Sequence, residues 1–134
     1  MKNNNGVKIA LLIPFLVIFC WSMYYSNFIR NAKEVVLPIS GYDPRNLLSG
    51  HYIEFRINWA KADCQQANWH GHCPVEEFRG VNRFYVPERN ARQIERLING
   101  QSSVKIVFAY EKGKDPVAKT MLIDGKDWKN YFSK

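Results

Sequence analysis

The longest apolar stretch of the chain lies near its start, where residues 9–29 contain no charged side chain. Lys8 and Arg30 bracket the stretch, and as a helix it is about 31 Å long, which matches the hydrocarbon core of a bilayer. A core helix of a soluble protein has a polar face, and the first half of this stretch has none. The pattern predicts a cytoplasmic stub and transmembrane anchor over residues 1–30, and an outer domain over residues 31–134.

The anchor is expected to stay attached, because the small residues of a signal-peptide cleavage site are missing after the apolar stretch. The positive-inside rule supports the two possible membrane orientations almost equally, since Lys2 and Lys8 precede the helix while Arg30 and Lys33 follow it. The free amino group slightly favours an N-terminus inside. We therefore expect a single-pass protein of a bacterial inner membrane, with its N-terminus cytoplasmic and its C-terminal domain periplasmic.

Beyond the anchor, apolar and polar residues alternate with a period of two, which is typical of strands with one buried face. The clearest case runs from His51 to Trp59, where every second residue from Ile53 is apolar. Further strands are predicted over residues 35–39, 83–86, 104–110 and 117–123. Residues 111–116 form a hairpin loop, and Asp124-Gly125 marks a turn.

One segment changes to the helical period, from Glu88 to Asn99. Pro87 suits the start of this helix and Gly100 its end. Its apolar face consists of Ala91, Ile94, Leu97 and Ile98, and its polar face carries Arg89, Arg92 and Arg96. The expected fold is α+β: a transmembrane helix, then a small, mainly antiparallel, partly open barrel-like β domain with one or two short helices.

Two cysteines outside the anchor, Cys64 and Cys73, enclose a short polar loop that contains His70 and His72. An even pair in a small domain beside a membrane favours a disulfide and hence an oxidising compartment. The alternatives are unpaired thiols or a metal site, since two thiolates and two imidazoles suit zinc or copper. The adjacency of His72 and Cys73 argues against one shared ion, so no metal and no other cofactor is predicted.

The net charge of +7 comes from cations scattered along the chain, without a block of like charges. This distribution favours a solvated surface, with some attraction to anionic headgroups, over nucleic-acid binding. The sequence has no Gly-x-Ser-x-Gly elbow and no phosphate-binding glycine-rich loop. The serine and lysine of a membrane-tethered signal peptidase are also missing at the required places, so the chain is not expected to be an enzyme.

Three short blocks resemble one family, in the same order along the chain: residues 43–55, Phe84 to Glu88, and Ile123 to Lys126. The family is GDYXXLXP, membrane-anchored bacterial proteins of unknown function. The residues that carry the resemblance are Asp43, Pro44, Arg45, Gly50, His51, Tyr52, Phe55, Pro87 and Glu88. His51 stands where the family has Asp, Phe55 where it has Leu, and Ile57 where its final Pro is expected.

These motif residues have either a structural or a binding role. Asp43-Pro44 suits the start of a turn, and Gly50 allows backbone conformations that other residues avoid. The function expected from the whole sequence is a non-enzymatic envelope module. It would bind a membrane or periplasmic protein through the strand around Tyr52 or through the arginine-rich helix face. The alternative is a metal-binding or redox-responsive protein that uses the loop between Cys64 and Cys73.

Overall fold

A computed structural model describes residues 5–40 and 52–133 of the chain. It contains two compact units, of which the first ends at Ala32 and the second begins at Lys33. The first unit is a single helix, α1 (Asn5–Asn31). Within its segment Gly6–Asn31, an 18-residue window has a mean hydropathy of 2.1 and none of that window is buried, so the helix is long and apolar enough to cross a membrane. Pro14 lies inside α1 without ending it.

The second unit contains a five-stranded antiparallel sheet, which consists of β1 (Lys33–Ser40), β3 (Arg56–Ile57), β5 (Val104–Tyr110), β6 (Val117–Ile123) and β7 (Lys126–Asp127). The strand order in this sheet is β3-β1-β5-β6-β7. The alternation seen in the sequence of β1 places Val35, Leu37 and Ile39 in the core. Strand β5 lies at the centre, and its residues Ile106–Tyr110 are all buried. The predicted strands over residues 35–39, 104–110 and 117–123 are thereby confirmed.

A second, two-stranded sheet pairs β2 (Tyr52–Glu54) with β4 (Arg83–Tyr85). The prediction of one continuous strand from His51 to Trp59 was wrong, because the chain changes sheets at Phe55. The backbone N–H of Phe55 donates to the carbonyl of Asn82 (2.9 Å), and two residues later Ile57 pairs with Ile39 of β1. Trp59 then begins a 3-10 turn, Trp59–Lys61. His51 lies outside the described residues.

The two sheets together form an incomplete barrel. Only Phe55 separates β2 from β3 in the sequence, so this segment belongs to both sheets. The strands therefore follow one another in the order β4, then β2 and β3, then β1, β5 and β6. Strand β4 pairs with β2, and no pairing joins it to β6 in the part of the chain that the structure describes. The expected α+β fold with a partly open, mainly antiparallel β domain is confirmed.

The described part of this unit also contains the α-helices α2 (Glu88–Asn99) and α3 (Trp128–Tyr131). Helix α2 has the predicted bounds, with Pro87 at its N-cap, Gly100 at its C-cap and Ile94 fully buried. Its arginines Arg89, Arg92 and Arg96 are exposed. Helix α3 and strand β7 follow the predicted turn at Asp124-Gly125 and place Trp128 against the core.

Candidate functional site

A groove of about 630 Å³ lies where the barrel is open, between β4, β6 and the start of α3. We refer to it as the β4–β6 groove. Phe84, Val117, Ala118 and Trp128 supply its apolar surface, and Arg83, Tyr85, Lys119 and Lys129 supply its polar and aromatic rim. The ring centroids of Phe84 and Trp128 are 6.4 Å apart in an edge-to-face arrangement, and both side chains are buried. The groove therefore combines a firm apolar floor with cationic edges.

The rim residue Arg83 is held by the strand next to it. Its guanidinium lies over the ring of Tyr52, 4.8 Å from the centroid, and its Nε is 3.4 Å from Oε1 of Glu54. The ring of Tyr52 also meets the ring of Tyr85 edge-on, with centroids 5.9 Å apart. Tyr52, a residue of the family motif, thus orients two rim residues of the groove.

A β-bulge shapes the opposite rim. The register between β5 and β6 shifts between Val107 and Phe108, so that Lys119 has no Cα partner in β5. Bulges bend a strand and redirect the side chain of the extra residue. Here Lys119 lines the groove, while its Nζ also donates to Oε1 of Glu34.

The start of α3 is fixed by Asp127. Its carboxylate accepts hydrogen bonds from the Thr120 hydroxyl (2.7 Å) and from the backbone N–H of Lys129 (2.9 Å). The Thr120 hydroxyl, followed by that N–H, holds the pKa of Asp127 below its usual value. This pair of contacts ties α3 to β6 and places Trp128 at the floor of the groove.

The loop between the cysteines lies elsewhere on the domain and is compact. Cys64 and Cys73 are paired at disulfide distance, with their Cα atoms 5.0 Å apart, within the usual range for such bonds. The backbone N–H of Gly71 donates to the carbonyl of Cys64 (3.0 Å) across the loop. Ala67, Asn68, His70 and Gly71 all have positive φ angles, which make the tight turns that let the chain double back.

This loop inserts an aromatic side chain into the core. Trp69 is 7% exposed and meets Phe78 and Tyr110 edge-on, with centroids 6.0 and 5.4 Å away. Phe78 in turn contacts Trp59 and Phe108. Burial is the main reason why the pKa of Tyr110 is raised, and the neighbouring Glu77 carboxylate adds to it. Through Trp69, the loop therefore contributes to the hydrophobic core of the domain.

Gln66 gives the loop a second attachment, to the edge of β1. Its side-chain Oε1 accepts a hydrogen bond from the N–H of Val36 (3.0 Å), and its Nε2 donates to the Val36 carbonyl (2.9 Å). Strand β3 pairs with β1 only at Ile39 and Ser40, so the described part of β1 has no strand beside Val36 on that side. The Gln66 amide takes the place of a neighbouring strand there.

We expect Gln66→Ala to lower the free energy of unfolding by about 1–3 kcal/mol, because it leaves two half-buried backbone groups without partners. Urea denaturation followed by tryptophan fluorescence measures the change. Gln93→Ala on the exposed side of α2 is the control and should stay within about 0.5 kcal/mol of the wild type. Equal midpoints for the two variants would contradict the structural role of Gln66.

We expect Cys64→Ser/Cys73→Ser to lower the free energy of unfolding by about 2–3 kcal/mol, since the bond restricts the unfolded chain. Reductant should destabilise the wild-type protein by a similar amount and leave the double variant unchanged. Cys20→Ser is the matched control, because Cys20 is a free, exposed cysteine in α1. A wild-type protein that is indifferent to reductant would show that the pair is not bonded.

The histidines of the loop are not gathered into a metal site. His70 and His72 are exposed, and Nδ1 of His72 lies 3.4 Å from the His70 carbonyl. In residues 5–40 and 52–133, no group of three or more His, Cys, Asp or Glu side chains is placed to hold an ion. Cysteines joined in a disulfide offer no thiolate to a metal.

The structure places the motif residues in two different roles. Tyr52 is half-buried beside Arg83, whereas Phe55, on the other face, is 2% exposed and packs against Phe108. Pro87 and Glu88 start α2. Five further motif residues lie outside the described residues: Asp43, Pro44, Arg45, Gly50 and His51.

The sequence did not identify four residues that line the groove: Arg83, Lys119, Trp128 and Lys129. These residues are distant in the chain and meet only in the fold.

Comparison with known protein families gives a match over part of the chain. The family model described as GDYXXLXY protein matches residues 14–79, which include part of α1, β1, β2, β3 and the loop between the cysteines. No curated protein and no solved structure matches the chain significantly. The family name ends in Tyr, so Ile57 is to be compared with tyrosine and not with proline. The match confirms that the chain resembles the GDYXXLXY proteins over residues 14–79.

Proposed function

We propose that this chain is a non-enzymatic, single-pass anchored module of a bacterial inner membrane, whose outer domain binds a membrane or periplasmic protein. The observation that carries the proposal is an apolar helix, Gly6–Asn31, followed directly in sequence by a domain with a cysteine pair at disulfide distance. The helix supports attachment to a bilayer. The cysteine pair supports an oxidising compartment for the domain, and hence a cytoplasmic N-terminus.

The surface of the domain supports binding to a protein. Tyr85 is 70% exposed beside a groove that also presents arginine and lysine side chains. Tyrosine and arginine are enriched where proteins contact one another. The proposal excludes catalysis because the sequence has no recognisable catalytic motif. The loop between the cysteines is assigned a structural role, since Trp69 and Gln66 connect it to the core.

Topology is tested on the full chain with a C-terminal epitope tag. We expect the protein to stay in the membrane pellet after carbonate extraction, and its outer domain to be digested by protease in spheroplasts but not in intact cells. Mass spectrometry of the reductant-free protein should show a loss of two hydrogens for the cysteine pair. A domain that is digested only after the inner membrane is broken would contradict the orientation.

Binding is tested by cross-linking intact membranes and purifying the full chain. We expect one protein to be recovered reproducibly, in quantities that exceed those recovered with an unrelated single-pass protein expressed at the same level. The anchor alone, residues 1–32 with the tag, is a second control for capture through the bilayer. A repeatable result with no enriched protein would count against the module.

A further inference from the structure

We propose that the β4–β6 groove binds an extended, acidic segment of a partner protein, which adds as a strand between β4 and β6. This inference rests on the proposed function and specifies the partner's binding segment. It depends on three properties of the groove: the available strand edges, the charge of the rim and the apolar floor.

The first property is that the groove separates two strands with available edges. Among the described residues, 5–40 and 52–133, strand β4 pairs with β2 alone. On the side away from β5, strand β6 pairs with β7 at Leu122 and Ile123, so its first five residues have no strand there among those that the structure describes. Unpaired edges present backbone N–H and C=O groups that an extended peptide can bind. A strand placed here would close the barrel.

The second property is the sign of the rim charge. Arg83, Lys119 and Lys129 line the groove, and no carboxylate does so in the described part of the chain. Glu54 and Glu34 contact two of these cations without lining the groove. Each cation has more donors than these contacts use, since a guanidinium carries five N–H groups and an ammonium three. The groove therefore favours a segment that carries Asp or Glu.

The third property is the apolar floor beneath those charges. Phe84 and Trp128 are buried there, and Tyr85 stands exposed at the edge. Successive side chains of an extended segment point to opposite faces. Apolar residues of the bound strand would meet Phe84 and Trp128, and the carboxylates between them would reach the rim. The preferred segment thus alternates apolar and acidic residues.

The test uses the full-length protein in lipid nanodiscs and a displayed library of random ten-residue peptides. We expect the enriched peptides to alternate apolar and acidic residues. Their synthetic versions should bind Arg83→Gln/Tyr85→Ala about tenfold more weakly than the wild type, because the variant lacks one rim cation and one exposed ring. Arg92→Gln is the matched control, since it removes an exposed arginine of α2 and should bind normally.

Two further measurements test strand addition itself. Bound peptide should slow amide hydrogen exchange at residues 83–85 and 117–119, which form the edges of the groove. A proline in the centre of the peptide should abolish binding, because it removes a backbone donor and restricts the backbone. Unfolding midpoints of the variants establish that Arg83→Gln/Tyr85→Ala leaves the fold intact.

Several results would overturn the proposal: no enrichment, enriched peptides without acidic residues, or equal binding to the groove variant. A dimer of the free protein that Arg83→Gln/Tyr85→Ala dissociates would assign the groove to a second copy of the chain, which also overturns it. If the membrane partner is captured equally by the wild type and the groove variant, the proposed function stands and the groove proposal fails. If a peptide binds but no membrane partner is found, the groove proposal stands and the proposed function fails.

Discussion

Replacing Phe78 by alanine is expected to lower the free energy of unfolding by about 3–5 kcal/mol, which is the usual cost of removing a buried aromatic ring. Phe78 is 3% exposed and lies at the centre of an aromatic cluster. Its ring centroid is 5.2 Å from that of Phe108 and 5.6 Å from that of Trp59. Alanine would leave a cavity bordered by these rings, which belong to different segments and cannot all move inwards.

The expected loss is a large fraction of the stability of a small domain, which is about 5–15 kcal/mol. Urea denaturation of the full chain in detergent measures it, with tryptophan fluorescence as the signal. Val75→Ala is the control: Val75 lies three residues earlier, is 44% exposed, and should cost less than about 0.5 kcal/mol. Phe78→Leu retains most of the volume and should fall between the two. If Phe78→Ala lay within about 1 kcal/mol of the wild type, the cluster would not be part of the folding core.

The sequence predicts the regular strands well because alternation directly reflects burial. Val35, Leu37 and Ile39 are buried as their spacing indicates, and β5 and β6 begin and end where predicted. The same rule fails at Phe55 for a physical reason. Ile53 and Phe55 both face the core, although the chain passes from one sheet to another after them. The alternation of apolar and polar residues therefore continues through the point where the chain changes sheets, and it does not reveal that change.

The irregular part of the domain was less accessible to sequence reasoning. Trp69 and Phe78 belong to segments without periodicity, so nothing local distinguishes them from exposed loop aromatics. The groove is harder still to predict, because Arg83 and Lys119 are distant in the sequence and line the same groove only in the fold. Helix α3 has four residues, which is too few for a helical pattern to stand out.

The second large effect is expected in helix α1, the proposed membrane anchor. Replacing both Ile18 and Phe19 by arginine should prevent stable insertion, since each arginine at the centre of a spanning helix costs about 2.5–3.5 kcal/mol on the insertion scale. Both residues lie near the middle of Gly6–Asn31 and are exposed on the isolated helix, where lipid would surround them. Two adjacent side chains point in different directions, so one protein neighbour cannot shelter both charges.

The measurement is the fraction of full-length chain that stays in the membrane pellet after carbonate extraction. We expect most of the wild type in the pellet and most of Ile18→Arg/Phe19→Arg in the supernatant. Ser26→Arg is the matched control: it adds the same side chain near the end of α1, where arginine can extend to the headgroups. A double variant that stays in the pellet and is still digested only in spheroplasts would show that α1 does not hold the protein in the bilayer, because its apolar centre would then be dispensable.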